Sequence, residues 1–336
     1  MSKDRTHRDA PMDFAETAGR IIAGERRALA RAITLVESRR SDHRAQAQDL
    51  LSALREGAGQ RQALRIGMSG TPGVGKSSFI ESFGLMLTGQ GLKVAVLAVD
   101  PSSARSGGSI LGDKTRMERL SRDRNAFIRP SPSQTELGGV ARRTREAVTL
   151  CEAAGFDVIL IETVGVGQSE TTVAEMSDLF ILLMAPAGGD ELQGVKRGIM
   201  EIADMILVNK ADGALKDVAT RTCADYAGAL HLMRKRAYDP AGFPKATTVS
   251  AWEGNGLQEA WDDMESLAAW RKSEGHWARR RADQARYWFE EEVRLALLAR
   301  LHEDSQISAR MADLGDAVAA GQVTVAEASQ KIMKLL

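Results

Sequence analysis

Apolar residues recur along this chain with two different periods, and the changes of period divide it. From about residue 12 to 57 the spacing is helical: in ERRALARAITLVESRR, Leu29, Ile33 and Val36 share one face with charges opposite. A stripe of that kind needs a surface to cover. Between 64 and 250, short β-branched runs alternate with amphipathic stretches: LRIGMS, KVAVLAVD, NAFIRP, FDVILIE, DLFILLMA, DMILVNK and ATTVSA. Several are apolar nearly throughout, which predicts strands buried on both faces of a parallel sheet with helical crossovers. Beyond about 257 the strand signals stop. RYWFEEEVRLALLARL then sets Val293, Leu297 and Leu301 at i, i+4 spacing, and TVAE at 324 to 327 reads as a capping box that opens a last helix with Ala328, Ile332 and Leu335 on one side. Such an extension either packs back on the core or pairs with its own copy across a twofold axis. A homodimer is the expectation, because twofold pairs are the commonest oligomers.

Composition narrows the class. At 336 residues and 43% hydrophobic content the chain can bury one large α/β core plus further elements. Lys plus Arg and Asp plus Glu both total 45, so nothing suggests a general affinity for nucleic acid or an anionic membrane. Any anion site must therefore be local. Cys151 and Cys223 stand alone in helical patterns, as in a reduced protein rather than a disulfide scaffold. No window approaches the roughly 18 apolar residues of a membrane span, and MSKDRTHRDAPMDF carries no secretory apolar region, so the cytoplasm is the expected compartment. The five histidines are scattered, without CxxC or HxxxH spacing for a transition metal.

The local anion site is written as Gly70-Thr71-Pro72-Gly73-Val74-Gly75-Lys76-Ser77-Ser78, which fits G-x-x-x-x-G-K-[ST] between the strand LRIGMS and the helix SSFIESFGLML. Its glycines let backbone N–H groups curl around a β-phosphate, Lys76 reaches the β and γ oxygens, and the Ser77 hydroxyl can ligate Mg²⁺. The fold expected is α/β, a P-loop NTPase parallel sheet flanked by helices. An N-terminal helical extension would occupy 1–60, the P-loop GTPase domain 61–258 and a C-terminal helical dimerisation region 259–336. LVNKAD at 207 to 212 selects the base. Asp212 can accept hydrogen bonds from the guanine ring N–H and exocyclic amino group, a pattern adenine lacks, so the nucleotide predicted is GTP. Asn209 would brace the loop and contact the base, the Lys210 stem can lie along its face, and in VSAWEGNG the Ser250-Ala251 turn, next to Trp252, could offer amides to the guanine carbonyl.

Between these motifs lies switch-like sequence. VLAVDPSSARSGGSILGDKTRM carries Asp100 at a strand end and reaches Asp113 through a Ser/Gly-rich loop, while LIETVG delivers Glu162 at the tip of the next strand. Acidic groups beside phosphates are tolerable next to Mg²⁺, bound directly or through its waters. Asp113 has a second reading as a helix N-cap before KTRMERL. APAGGDELQGVK, 185 to 196, has a glycine pair after a strand and a charged continuation, compatible with a hinge or with a plain strand-to-helix connection. The residue after Gly165 is Val166, which cannot orient an attacking water as the glutamine of Ras-type proteins does. Gln168 and Arg105 are candidates for that work only once their loops are ordered, so the catalytic set reads as incomplete until a partner completes it.

The blocks GTPGVGKSS, VLAVDPSSARSGGSILGDKTRM, FIRPSPSQTELGGVARRT, LIETVGVGQSE, APAGGDELQGVKRGIMEIAD and VNKAD together resemble the MeaB/ArgK family, the G-protein chaperones of adenosylcobalamin-dependent methylmalonyl-CoA mutase. The resemblance covers nearly the whole chain. It implies a GTPase that is slow alone, is stimulated by its mutase, and gates cofactor delivery while protecting that enzyme. It further implies Mg²⁺ and switch roles for Ser77, Asp100, Asp113 and Glu162, and a third mobile loop from which Gln193 and Lys196 reach toward the site. No D-x-H-x-x-G cobalamin sequence occurs, so the partner is expected to hold the corrinoid. Two alternatives share features with this reading: a nickel-insertion GTPase, which usually needs clustered Cys or His, and an ATP-using kinase linked to basic amino-acid transport, which would leave Asp212 unpaired.

Overall fold

In the computed structural model, the described residues are 13–38, 40–59, 61–99, 117–130, 137–163, 169–186, 197–233 and 235–335. Three helices come first: α1 (Phe14–Ile22), opened by Asp13, whose side chain accepts from the Glu16 amide, then α2 (Arg26–Glu37) and α3 (Ser41–Gly57). The Leu29, Ile33 and Val36 stripe is buried, as its spacing predicts. Its cover includes α3 and a later helix, α6 (Leu137–Ala153).

The seven apolar runs all form strands: β1 (Leu64–Gly70), β2 (Val94–Val99), β3 (Ala126–Arg129), β4 (Val158–Thr163), β5 (Leu179–Met184), β6 (Met205–Val208) and β7 (Lys245–Thr248). They make one sheet in the order β3-β2-β4-β1-β5-β6-β7, parallel at every pairing. Because β1 lies between β4 and β5, its C-terminal end opens at the centre of the sheet edge. There the chain turns into α4 (Lys76–Gly89), the arrangement that places ligands outside the carboxyl ends of parallel strands. The short helices α5 (Glu118–Arg122), α7 (Ser169–Ala174) and α8 (Arg197–Ile202) and the longer α9 (Lys216–His231) and α10 (Leu257–Ser273) complete the elements that accompany the sheet.

Beneath the phosphate loop, α4 and α10 meet through Phe83 and Trp261, edge to face at 6.0 Å, within a core that includes Phe79, Ile181, Leu183 and Met264. At the opposite end of the sheet a buried ionic group holds β5, β6 and α10 together. Arg271, 2% exposed, donates to Asp204 at 2.6 Å and Asp239 at 2.8 Å, and Arg236 donates to Asp204 at 2.8 Å. Burial pushes the Asp204 carboxyl up, but the guanidinium groups of Arg271, Arg236 and Arg280 outweigh it and hold the carboxyl below its ordinary value. Such a group is strongly destabilising when one partner is removed, so it fixes the frame on which the opposite end is built.

The chain divides into one compact unit over 1–280 and a second over 281–336. The N-terminal helices thus cluster with the sheet. The second unit comprises the later part of α11 (His276–Glu303), α12 (Ser305–Ala319) and α13 (Val325–Met333). The predicted capping box is present: Thr324 Oγ1 accepts from the Glu327 amide at 3.2 Å, and Glu327 Oε2 accepts from the Thr324 amide at 3.1 Å. Both cysteines are free, and burial raises both thiol pKa values, Cys151 the more strongly. No helix among the described residues is long and apolar enough to cross a membrane.

Candidate functional site

The end of β1 supplies the phosphate cradle. Gly75 adopts φ 89°, and a Cβ there would lie 2.9 Å from Asn209 Nδ2, so only glycine lets the loop close against that side chain. Lys76 begins α4 and folds back over the loop, where its Nζ donates to the carbonyls of Gly70 at 2.6 Å and Thr71 at 3.3 Å. Burial lowers its pKa below the ordinary lysine value, while the charges of Glu162 and then Glu170 pull it part of the way back. Lys76 is thus a desolvated cation held by neutral carbonyls, the state in which an arriving phosphate is most strongly attracted. Thr71 Oγ1 is buried in the same loop with no hydrogen-bond partner among the described residues. Both features fit a bound polyphosphate.

Glu162 lies at the tip of β4, opposite Met68 of β1 on one side and Ala98 of β2 on the other. One residue further, Thr163 Oγ1 donates to Ser69 Oγ at 3.0 Å and ties the two strand ends together under the cradle. Ser77 and Glu162 are oxygen donors of the kind Mg²⁺ takes, so the described part of the expected metal set fits that ion. Among the described residues no group of three or more His, Cys, Asp or Glu is placed to hold a metal. Asp100 and Asp113, the other expected contributors, lie outside the described residues, as do Arg105, Gly165, Val166, Gln168, Gln193 and Lys196. Val99, the last residue of β2, pairs with Thr163 of β4, so these two strands end side by side.

The base end is assembled from loops after β6 and β7. Asn209, fully buried, donates from Nδ2 to the Val74 carbonyl at 2.9 Å and accepts at Oδ1 from the Ala251 amide at 3.1 Å, so it braces the phosphate loop against the β7 loop. Lys210, at φ 58°, reaches the Gly73 carbonyl at 2.7 Å. Ser250 Oγ donates to Asp212 Oδ2 and also accepts the Glu253 amide at 3.0 Å, which orients the carboxylate. The expectation for the Ser250-Ala251 turn changes: here the Ser250 amide bonds the Asn255 carbonyl at 2.8 Å and the Ala251 amide bonds Asn209. In this state the turn is closed on itself, and its amides rigidify the loop.

Asn209, Lys210 and Ala251 help to line a cavity of about 640 Å³ that runs from Gly75 and Ser78 to Asp212 and Trp252. Its volume suits a nucleoside. Trp252 is 90% exposed at the rim. Four further lining residues escaped the sequence reading: Glu81, Ser82, Arg119 and Leu215. Ser82 Oγ donates to the Ala251 carbonyl at 2.5 Å, and Glu81 Oε1 accepts the Arg119 amide at 2.8 Å, so α4 supports the base loop and the start of α5 together. Their only signal in the sequence is that Glu81 and Ser82 follow Ser78 on α4 by three and four residues, one helical turn further along the same face.

The family model described as Methylmalonyl Co-A mutase-associated GTPase MeaB matches residues 29–306. The GTPase ArgK of Escherichia coli strain K12 is 49% identical over 284 residues, covering 83% of this chain and 85% of that protein. A mitochondrial methylmalonic aciduria type A homolog of Mus musculus is 52% identical over 276 residues, 80% of this chain and 66% of that protein. A crystal structure of an LAO/AO transport system kinase matches with a TM-score of 0.73 and 36% identity, covering 96% of this chain and 97% of that one.

Proposed function

The chain belongs to the family of methylmalonyl-CoA mutase-associated GTPases, MeaB, and from that premise we propose that it is a GTP-hydrolysing chaperone of methylmalonyl-CoA mutase or a related acyl-CoA mutase, gating adenosylcobalamin loading and protecting that enzyme from inactivation. The observation that carries the nucleotide part is the bracing by Asn209, which joins the phosphate loop to the β7 loop while Ser250 aims the Asp212 carboxylate. Phosphate and base recognition are thereby built as one unit. An adenine base would offer no donor pair to the face of Asp212 turned toward it, which disfavours ATP.

Hydrolysis is proposed to be slow in the isolated chain. The Val166 side chain offers no polar atom for the attacking water, and the other candidate groups, Gln168, Arg105, Gln193 and Lys196, lie outside the P-loop in the sequence. Ser77 with Glu162, Asp100 and Asp113 would hold Mg²⁺, which would supply charge neutralisation at the phosphates. The mutase is proposed to complete the catalytic set and itself to hold the corrinoid. The test is GTP hydrolysis with and without the mutase. An arginine supplied to such a site is worth about 10³- to 10⁵-fold, so stimulation of at least about tenfold is expected, and an unchanged rate overturns the regulatory reading.

The homodimer proposal is supported by the second unit, where Phe289 is 69% exposed and Val293, Leu297 and Leu298 are exposed beside it on α11. A monomeric surface rarely leaves a helix face of that kind uncovered. The expected result in sedimentation is a dimer that Val293→Glu with Leu297→Glu converts to monomer. A monomer mass for the unmodified chain at every concentration removes the proposal.

A further inference from the structure

Two of the side chains that line the cavity are carboxylates: Asp212 at the base end, and Glu81, half-buried on α4. The neighbours of Glu81 on the helix place it along the cavity. Ser78, one turn earlier, stands at the phosphate end, and Ser82, the next residue, donates to the Ala251 carbonyl of the β7 loop at 2.5 Å. The Glu81 carboxylate therefore falls between the two ends. Its position is fixed by α5. Glu81, Gly84 and Thr88, at helical spacing, lie along the side of α4 that meets α5. Glu81 Oε1 accepts the Arg119 amide at 2.8 Å, and Thr88 Oγ1 donates to Asp123 Oδ2 at 2.7 Å just past the end of α5. Between them Gly84 lets Leu120 approach, since a Cβ there would lie 2.6 Å from Leu120 Cδ2. A glutamate on an open helix surface samples many rotamers, whereas this one is held by the amide of a packed helix.

A carboxylate has about four acceptor sites, and the Arg119 amide uses one of those on Glu81. The rest need donors. A guanine nucleotide carries donors in two places: the base edge, which Asp212 serves, and the sugar hydroxyls, which lie between base and phosphates. The phosphates offer acceptors only, so Glu81 matches the sugar and not its neighbours. Carboxylates bind ribose hydroxyls in the same way in dinucleotide folds. Resting on the guanine-nucleotide reading above, we propose that Glu81 recognises the ribose: its carboxylate accepts from a sugar hydroxyl while it continues to accept from the Arg119 amide. Recognition of the sugar and placement of α5 then share one side chain, already oriented before the nucleotide arrives.

The experiment compares GTP with 2′,3′-dideoxy-GTP, which lacks both hydroxyls, by calorimetry with Mg²⁺. The unmodified chain should prefer GTP by about tenfold, the worth of one hydrogen bond to a charged group, and Glu81→Ala should bind the two within about twofold of each other. Glu81→Ala also frees the Arg119 amide, so both affinities are expected to fall; the ratio separates recognition of the sugar from support of α5. A merely structural Glu81 weakens both nucleotides alike and leaves the preference in place, which overturns the proposal, as does equal binding of the two by the unmodified chain. Should Glu81→Ala fail to fold, Glu81→Gln decides: it keeps an oxygen for the Arg119 amide and loses the charged acceptor, so most of the preference should disappear, and an undiminished ratio overturns the proposal. ATP measured alongside tests the premise separately. ATP binding as tightly as GTP removes the guanine assignment while the sugar comparison still decides the role of Glu81, and absence of binding by any nucleotide removes both.

Discussion

Lys76→Ala should lower GTP affinity by about a thousandfold, the loss of charge-assisted hydrogen bonds to two phosphates at about 1.5–3 kcal/mol each. The same substitution should leave the nucleotide-free fold intact. Lys76 has a depressed pKa in the folded chain, with burial as the main cause. Its charged form is therefore penalised by folding at neutral pH, fully below the depressed value, with the penalty fading as pH rises toward the ordinary lysine value. Truncation removes that penalty and opposes the loss of the bonds to Gly70 and Thr71. Thermal unfolding reads both effects. For the unmodified chain, GTP at about 100 times its Kd adds about 2.7 kcal/mol, a shift of a few degrees. Lys76→Ala should show no such shift at the same concentration while keeping a similar midpoint without nucleotide. A nucleotide-induced shift that survives would place the triphosphate away from this loop.

The strands could be read from the chain because most are buried on both faces, so their whole length is apolar; β5, Leu179–Met184, is buried at every position. β7 is half-buried throughout and was readable only from its β-branched residues next to the turn that follows. The sheet order was beyond the sequence, since nothing local says that β1 inserts between β4 and β5. The motif residues were readable because phosphate and guanine recognition demand particular groups at particular spacings. Groups that act through the fold were not. Arg271 and Asp204 are paired across 67 residues of sequence. Arg119 reaches the base cavity only because Glu81 anchors its amide from another helix. Glu170 follows Gln168 by two residues in GVGQSE, and only its burial sets it apart from an ordinary helix residue, which no spacing reveals.

Asp212→Asn should exchange one base for another rather than simply weaken binding. The carboxylate accepts from the guanine ring N–H and amino group, and hydrogen bonds to a charged group contribute about 1.5–3 kcal/mol each. An asparagine in the same place keeps one acceptor, for the ring N–H, but turns an NH₂ group toward the guanine amino group, so donor meets donor. GTP affinity should fall by about a hundredfold or more. Xanthine carries a carbonyl where guanine carries the amino group, and so presents an acceptor to that new donor. Xanthosine triphosphate should therefore bind Asp212→Asn better than GTP does, reversing the order in the unmodified chain. Ser250 makes this outcome accessible: its hydroxyl donates to a carboxylate at Asp212 and can accept from an amide, so the side chain stays oriented after the substitution. Competition binding with GTP, xanthosine triphosphate and ATP on both proteins measures the exchange. Parallel losses of GTP and xanthosine triphosphate would mean that Asp212 supports the loop without touching the base, and the guanine assignment would then have to rest on other residues of the cavity.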